Sequence, residues 1–402
     1  MIDRTTRVNL LIGTGHFLSH FYVLCLPPMF LAWQQTFDVS FAQLGLSVAL
    51  MSGTTALLQT PVGFLVDKHG ARKFLVGGTL LMTITIGMMG LATEFWQILV
   101  LSLLSGVGNS VIHPVDYAVL AGSIPKDRMG RAFAIHTFNG NLGFFLAPPV
   151  MAALMLVIGW RGSLILAGGL GVPLVGAILL QSRILVDQAR PKSLDTGPQM
   201  SGRELLLTRP MLLFFGFFLL SSMAGAGIQS WLITVLHQVK GMTVEAASTT
   251  LTCYMAGATL GVLVGGYVAD RIQRHLTFAA TLTIASAALL LLVASLPLPE
   301  VLIFVVMFGS GIAIGCSRTP RDLMVKDAAP PGQIGKVFGF ISSGLPLGSA
   351  ITPVPLGFII DHGRPELVLV IVAIILLLSL LCCGSARLAA GHSSTATIVP
   401  AE

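Results

Sequence analysis

Apolar residues run through this chain in long, nearly unbroken stretches, and the polar positions gather into short clusters between them. The stretches lack the alternation of barrel strands, so each reads as a helix crossing a bilayer, the form in which a lone segment satisfies its own backbone hydrogen bonds. Crossing the hydrocarbon takes roughly 20 such residues. Twelve spans are predicted, at 8–33, 41–66, 74–93, 95–121, 132–158, 163–185, 211–236, 246–269, 277–296, 301–325, 337–360 and 367–389. The first is too long for a cleaved leader, and no small-residue processing site follows it.

The pattern also repeats. GVGNSVIHPVDYAVLAGSIPKDRMGRAF (106–133) and GIAIGCSRTPRDLMVKDAAPPGQIGKVF (311–338) align without a gap at an offset of 205 residues, about half of the 402. Such a duplication predicts two pseudosymmetric six-helix bundles, 1–185 and 210–402, joined by the polar stretch 186–209. Ser201 and Glu204 in that stretch have capping-box spacing for a short surface helix, with an unstructured tether as the other reading. The repeat register sets His113 opposite Arg318 and Asp116 opposite Arg321, ionisable groups inside apolar spans. An intramembrane charge is a functional candidate by default.

Composition agrees with a bilayer as solvent: 54% of residues are hydrophobic and 10% charged, against about a quarter charged in soluble proteins. If the amino terminus is cytoplasmic, 18 Lys and Arg residues lie on that side and three, Arg161, Lys240 and Arg364, lie outside. That asymmetry predicts a multi-pass protein of the cytoplasmic membrane with both termini inside. It also accounts for the net charge of +6, which therefore gives no support to nucleic-acid binding. The five cysteines all fall in apolar spans and read as free core thiols.

Enzymatic signatures are missing. There is no phosphate loop, no HExxH, no GxSxG elbow, and no Cys or His set with metal-ligand spacing, so neither an enzyme nor a metal or other cofactor is expected. Glycine runs near Gly225 and Gly261 suit helices that approach closely.

Between the second and third spans stands GFLVDKHGARK (63–73), and GYVADRIQR (266–274) repeats part of it between the eighth and ninth. The first resembles GxLxDRxGxRK, the signature of the major facilitator superfamily, matched at Gly63, Leu65, Asp67, Gly70, Arg72 and Lys73, with Lys68 in place of Arg. With twelve spans and a central linker, the resemblance covers the whole chain. It implies a gating role on the cytoplasmic side for Gly63, Asp67, Lys68, Gly70 and Arg72, and for Asp270 and Arg271 in the second copy; the other reading is loop charge that obeys sidedness. The fourth span with its HP step, followed by NGNLG and a proline pair, is similar to the fosmidomycin-resistance branch, whose members are efflux carriers. The Arg of the proton-antiporter motif is absent from LSLLSGVG (101–108), so coupling by that motif's usual route is not expected.

Carriers of this design bind solute near the midplane, between two bundles that rock about it. The spans that would line the path, the first, fourth, seventh and tenth with the fifth beside them, hold the candidate residues: His16 and His20; Asn109, His113 and Asp116; His136, Asn139 and Asn141; Gln229 and Trp231; Arg318, Arg321 and Asp322. Asp116 is the foremost proton-coupling candidate, because the charge of a carboxylate in low dielectric responds to any guanidinium that comes near. Its alternative role is a gate salt bridge with Arg321. Arg318 and Arg321, three apart on one helix face, offer bidentate recognition of a carboxylate, phosphate or phosphonate, unless Asp322 neutralises one of them. His113 precedes Pro114, which can bend the fourth span where the site should lie.

The expected protein is a monomeric secondary transporter with protons and an anionic or zwitterionic small molecule as partners, and lipid around it. Export follows from the resemblance and carboxylate uptake from the arginine pair. A transport-inactive sensor or assembly partner is the reading from another class.

Overall fold

The structure, a computed structural model, describes residues 4–124, 129–185, 207–269, 271–329, 337 and 340–395, with side chains throughout except at 67, 117, 121, 129–131, 133, 134 and 387–395. Regular structure among these residues is entirely helical. Among the described residues, ten stretches are long and apolar enough to cross a membrane. The chain is a multi-pass membrane protein.

Prolines and glycines set the breaks. Helix α1 (Arg4–Cys25) gives way to a 3-10 turn at Pro27–Met29 and continues as α2 (Phe30–Phe37). Helix α3 (Phe41–His69) starts on a capping box in which Ser40 and Gln43 satisfy each other's backbone amides, and it stops at Gly70, whose φ of 87° suits glycine. Helix α4 (Ala71–Met89) follows directly. The fourth span is α5 (Phe95–Asn109) plus α6 (Ile112–Ser123), interrupted at Ser110–Val111. This is the bend expected from Pro114, whose ring nitrogen cannot donate to the Ser110 carbonyl.

Helix α7 (Met129–Gln181) covers 53 residues, and Gly159 at φ 66° and ψ 174° turns it between two arms. These are the predicted fifth and sixth spans. With α4 and the two arms of α7 counted separately, the architecture fits the twelve expected spans. The remainder is α8 (Arg209–Lys240), α9 (Val244–Ala269), α10 (His275–Ser295), α11 (Glu300–Ala328), α12 (Gly344–Ile351), α13 (Pro353–Asp361) and α14 (Glu366–Thr395).

Contacts group the chain into two compact units that are not its linear halves. The first contains Met1–Lys192, Gln229–Thr252 and Ala350–Pro365; the second contains Ser193–Ile228, Cys253–Ser349 and Glu366–Glu402. In the first unit α1 lies along α7, α4 lies against α5 and α7, and α3 packs on α5 and α13. Trp33, Trp231, Tyr22 and Phe30 are its largest fully buried side chains. The second unit closes around Phe214, Phe217, Phe218, Met324 and Ile341. There Gly257, Gly261 and Gly265 of α9 lie against the α11 backbone at Phe308, Ile312 and Cys316, so close that a Cβ would strike carbonyl oxygens. The expectation for Gly261 holds. Gly225 differs, since no described atom lies within 4 Å of a Cβ placed there.

The stretch predicted as linker lies, through residue 206, outside the described residues, as do Ser201 and Glu204.

Candidate functional site

The first unit holds the chemistry. Three predicted spans, each apolar over most of its length, contribute five ionisable side chains to one place: His16 and His20 from α1, His113 and Asp116 from α6, and His136 from α7. His16, Asp116 and His136 are buried, and His20 and His113 are half-buried. Spacing of i, i+4 puts His16 and His20 on one face of α1, and the interruption before Ile112 sets the first turn of α6, with His113, beside them.

Contacts within the cluster are specific. Nδ1 of His16 lies 3.1 Å from the carbonyl oxygen of His136. A carbonyl only accepts, so this nitrogen carries hydrogen, and Nε2 is left to face Nε2 of His20 at 3.1 Å. The His16 ring stacks on that of His136 with centroids 4.0 Å apart and meets the His113 ring edge-on at 5.2 Å. His20 stacks on Phe144 at 4.0 Å. The backbone of α7 presses in from behind: a Cβ on Gly140 would sit 2.6 Å from Cε1 of His16.

Asp116 is fully buried. The nearest partner of its carboxylate among the described residues is Nε2 of His136 at 3.6 Å, beyond hydrogen-bond reach, and neither oxygen accepts a hydrogen bond there. A buried carboxylate is ordinarily paired, hydrogen-bonded or neutralised by a bound cation or proton. Asp116 and His136 together are therefore a poised pair rather than a finished structural contact.

Asn109, at the end of α5, accepts from Ser19 Oγ and donates to Thr55 Oγ1 at 3.2 Å, tying three spans together beside the cluster. Ser19 and Thr55 were not singled out in the sequence, where nothing sets them apart from other hydroxyls. Asn139 packs its amide on Gly13 of α1. Asn141 and Gln229 are half-buried in the same unit. Trp231 is fully buried, and its indole N–H donates to the carbonyl of Pro353 at 3.0 Å.

In the second unit α11 carries Arg318, Arg321 and Asp322. Nε of Arg321 donates to Oδ1 of Asp322 at 2.9 Å, and its guanidinium lies over the Phe218 ring, 4.2 Å from the centroid. Two guanidiniums stand against one carboxylate, so the segment keeps a net positive charge.

The residues of the expected gate are placed as follows. Arg72 donates to Ser182 Oγ at 2.7 Å, Lys68 is exposed, and Gly63 has room for a Cβ, with Pro114 the nearest contact at 3.8 Å. Arg271 donates to Tyr267 O at 3.0 Å and covers its ring. The Asp67 side chain and Asp270 lie outside the described residues.

Comparison with known proteins supplies the family. The family model described as Major Facilitator Superfamily matches residues 12–251 and 240–394. The fosmidomycin resistance protein of Escherichia coli is 28% identical over 382 residues, covering 92% of this chain and 90% of that one. The membrane sensor protein UhpC of the same organism is 26% identical and covers 80% and 78%, and its probable L-galactonate transporter is 24% identical and covers 67% and 64%. Two inward-facing crystal structures of a bacterial homolog of the human lysosomal transporter Spinster share the fold over 100% of both chains. Their TM-scores are 0.75 for the occupied and 0.78 for the unoccupied form, at 15% and 16% identity. The family match runs through both halves of the repeat and over every element that builds the histidine cluster, and the chain belongs to the major facilitator superfamily.

Proposed function

We propose that the chain is a proton-coupled secondary transporter that works by alternating access. It moves a small organic anion or amphiphile across the cytoplasmic membrane, with both termini inside and export as the favoured direction. The observation that carries the reading is Asp116: a fully buried carboxylate that faces His136 and accepts no hydrogen bond among the described residues, next to a bend in the fourth span. A carboxylate and an imidazole at that separation can pass a proton between them or release it together when a solute arrives. No metal or redox group is needed for this step. In this reading Gly63, Asp67, Lys68, Gly70 and Arg72, at the junction of α3 and α4, gate the cytoplasmic side together with Asp270 and Arg271.

Export is supported by similarity to the fosmidomycin resistance protein. A second reading, uptake of a carboxylate, is supported by the surplus positive charge of Arg318 and Arg321 over Asp322, and by similarity to the probable L-galactonate transporter. The sensor reading rests on similarity to UhpC and requires that no solute be carried.

Vesicles reconstituted with purified protein and loaded with a pH-sensitive dye test these readings. Carboxylates, phosphonates and cationic drugs are added in turn to wild type and Asp116→Asn. Anion-driven proton flux that falls at least tenfold in the variant is the expected result. Intact flux in Asp116→Asn would reduce the residue to a packing role, a response to cations alone would overturn the anion reading, and silence to every solute would leave the sensor.

A further inference from the structure

We infer that His16, His20 and His113 form a binding site for a divalent transition-metal ion of the zinc class. One ligand-capable atom from each lies within 4.8 Å of the others. His16 and His20 stand one helical turn apart, the spacing that lets two imidazoles on one helix face grip the same ion. Their Nε2 atoms are 3.1 Å apart, close to the edge of about 3.3 Å in a tetrahedron with metal–nitrogen bonds of about 2.0–2.1 Å.

A second, independent observation points to a ligand. Nδ1 of His16 is committed to the carbonyl oxygen of His136, the outer contact that fixes the tautomer of a metal-bound imidazole and turns its other nitrogen toward the ion. Nε2 of His16 thereby presents its lone pair toward Nε2 of His20, which it meets at hydrogen-bond distance. His113 arrives from α6 with its ring 5.2 Å from that of His16 and 6.3 Å from that of His20, and one of its ring nitrogens lies within 4.8 Å of the other two donors.

The metal class follows from the donors. Imidazole nitrogens select zinc, cobalt, nickel or copper over magnesium and calcium, which prefer oxygen. Three protein ligands leave a fourth position open, as in zinc sites that accept a water or a solute oxygen. Asp116 and His136 form a neighbouring set with His16, whose ligand-capable atoms also lie within 4.8 Å of one another. The stacking of His16 on His136 at 4.0 Å sets those two rings parallel rather than converging. The three-histidine set is the better cage, with Asp116 beside it as the neutralising charge. Sequence spacing shows only the His16 and His20 pair, because the third donor, His113, lies 93 residues beyond His20. The inference does not depend on proton coupling or on the direction of transport.

The test uses the full chain without a polyhistidine tag, stripped of metal in detergent. Zinc is titrated calorimetrically and cobalt by its visible spectrum, with magnesium and calcium as controls. Expected are one zinc per chain, a tetrahedral cobalt spectrum, and no response to magnesium or calcium. His20→Ala and His113→Ala should each weaken zinc at least tenfold, while His362→Ala, far along the chain on the α13 side, should not. His20→Gln and His113→Gln, checked for monodisperse elution, replace any alanine variant that fails to fold. X-ray absorption of the zinc-loaded wild type needs no variant and should report imidazole nitrogens in the first shell. A wild type that binds no zinc, a shell of oxygen alone, or zinc affinity unchanged in both His20 and His113 variants would overturn the site.

Discussion

A Cβ on Gly143 would run into the backbone oxygen of Phe17 and stand 2.9 Å from the Phe21 nitrogen and 3.2 Å from Cβ of His20. Backbone cannot rotate away as a side chain can, so Gly143→Ala must push α1 from α7, and overpacking of this kind costs about 1–3 kcal/mol. The expected outcome is a lower melting temperature in detergent and a displaced His20. Gly169, where a Cβ would meet no described atom of another element within 4 Å, provides the contrast: Gly169→Ala should melt at the wild-type temperature or above, because alanine is the better helix former. At this scale the sequence is a good guide to which residues matter and a poor one to what they touch. His16, His20, His113, Asp116 and His136 all stand out as ionisable groups in apolar spans. That they share one site depends on contacts such as His16 to His136, 120 residues apart, and no local pattern encodes that distance. The i, i+4 spacing of His16 and His20 and the i, i+3 spacing of His113 and Asp116 are the local hints. Trp231 is another case, since the sequence marks a polar-tipped aromatic in a lining span but not that its N–H lies on Pro353, 122 residues away.

Helix α3 begins twice over. Ser40 and Gln43 form the capping box that the sequence spells out, and the Asp361 carboxylate at the end of α13 accepts from the Phe41 amide at 2.6 Å and from the Ala42 amide at 2.9 Å. A carboxylate over a helix amino terminus meets both the orphan amides and the positive end of the dipole. Loss of such a cap costs about 0.5–2 kcal/mol. Asp361→Ala should therefore speed hydrogen exchange at Phe41 and Ala42 and loosen α13 from α3, while Asp361→Asn, which keeps one acceptor oxygen, should fall between it and wild type. Equal exchange in all three proteins would remove the capping role. The first cap is legible because it is local; the second is not, since its partners are 320 and 319 residues apart. Proline carries a similar lesson. Pro114 and Pro353 mark real interruptions, yet Pro61, Pro148, Pro149, Pro173 and Pro320 lie inside helices that continue past them. In a bilayer neighbouring helices re-satisfy the freed carbonyl, so proline alone does not locate a helix end.

Twelve apolar spans and a repeat offset of 205 residues suggest a molecule that divides at its middle, but the packing of the first unit runs across that division. Gln229–Thr252 and Ala350–Pro365 belong to it, although both come from the second half of the chain. Their fit is close. A Cβ on Gly45 would stand 2.6 Å from the Pro353 oxygen and one on Gly357 would stand 2.5 Å from the Phe41 oxygen, and Trp231 is buried against Phe30 and Phe41 with ring centroids 5.1 and 6.0 Å away. In a bilayer such segments are held by close van der Waals packing and interhelical hydrogen bonds, here the Trp231 N–H on Pro353, and both are lost if the partner segments are missing. The amino-terminal half expressed alone should consequently be degraded or aggregate, with Phe30 and Phe41 uncovered. The two halves expressed together from a chain cut inside 186–206 should reassemble into a complex that co-purifies and supports the same solute-driven flux. Trp231→Ala introduced into the carboxy-terminal fragment should weaken that reassembly more than it weakens the uncut protein, because the covalent chain holds the segments at high effective concentration. If the amino-terminal half is instead stable and monodisperse by itself, the packing of 229–252 and 350–365 contributes little to the first unit, and the linear halves are its true folding units.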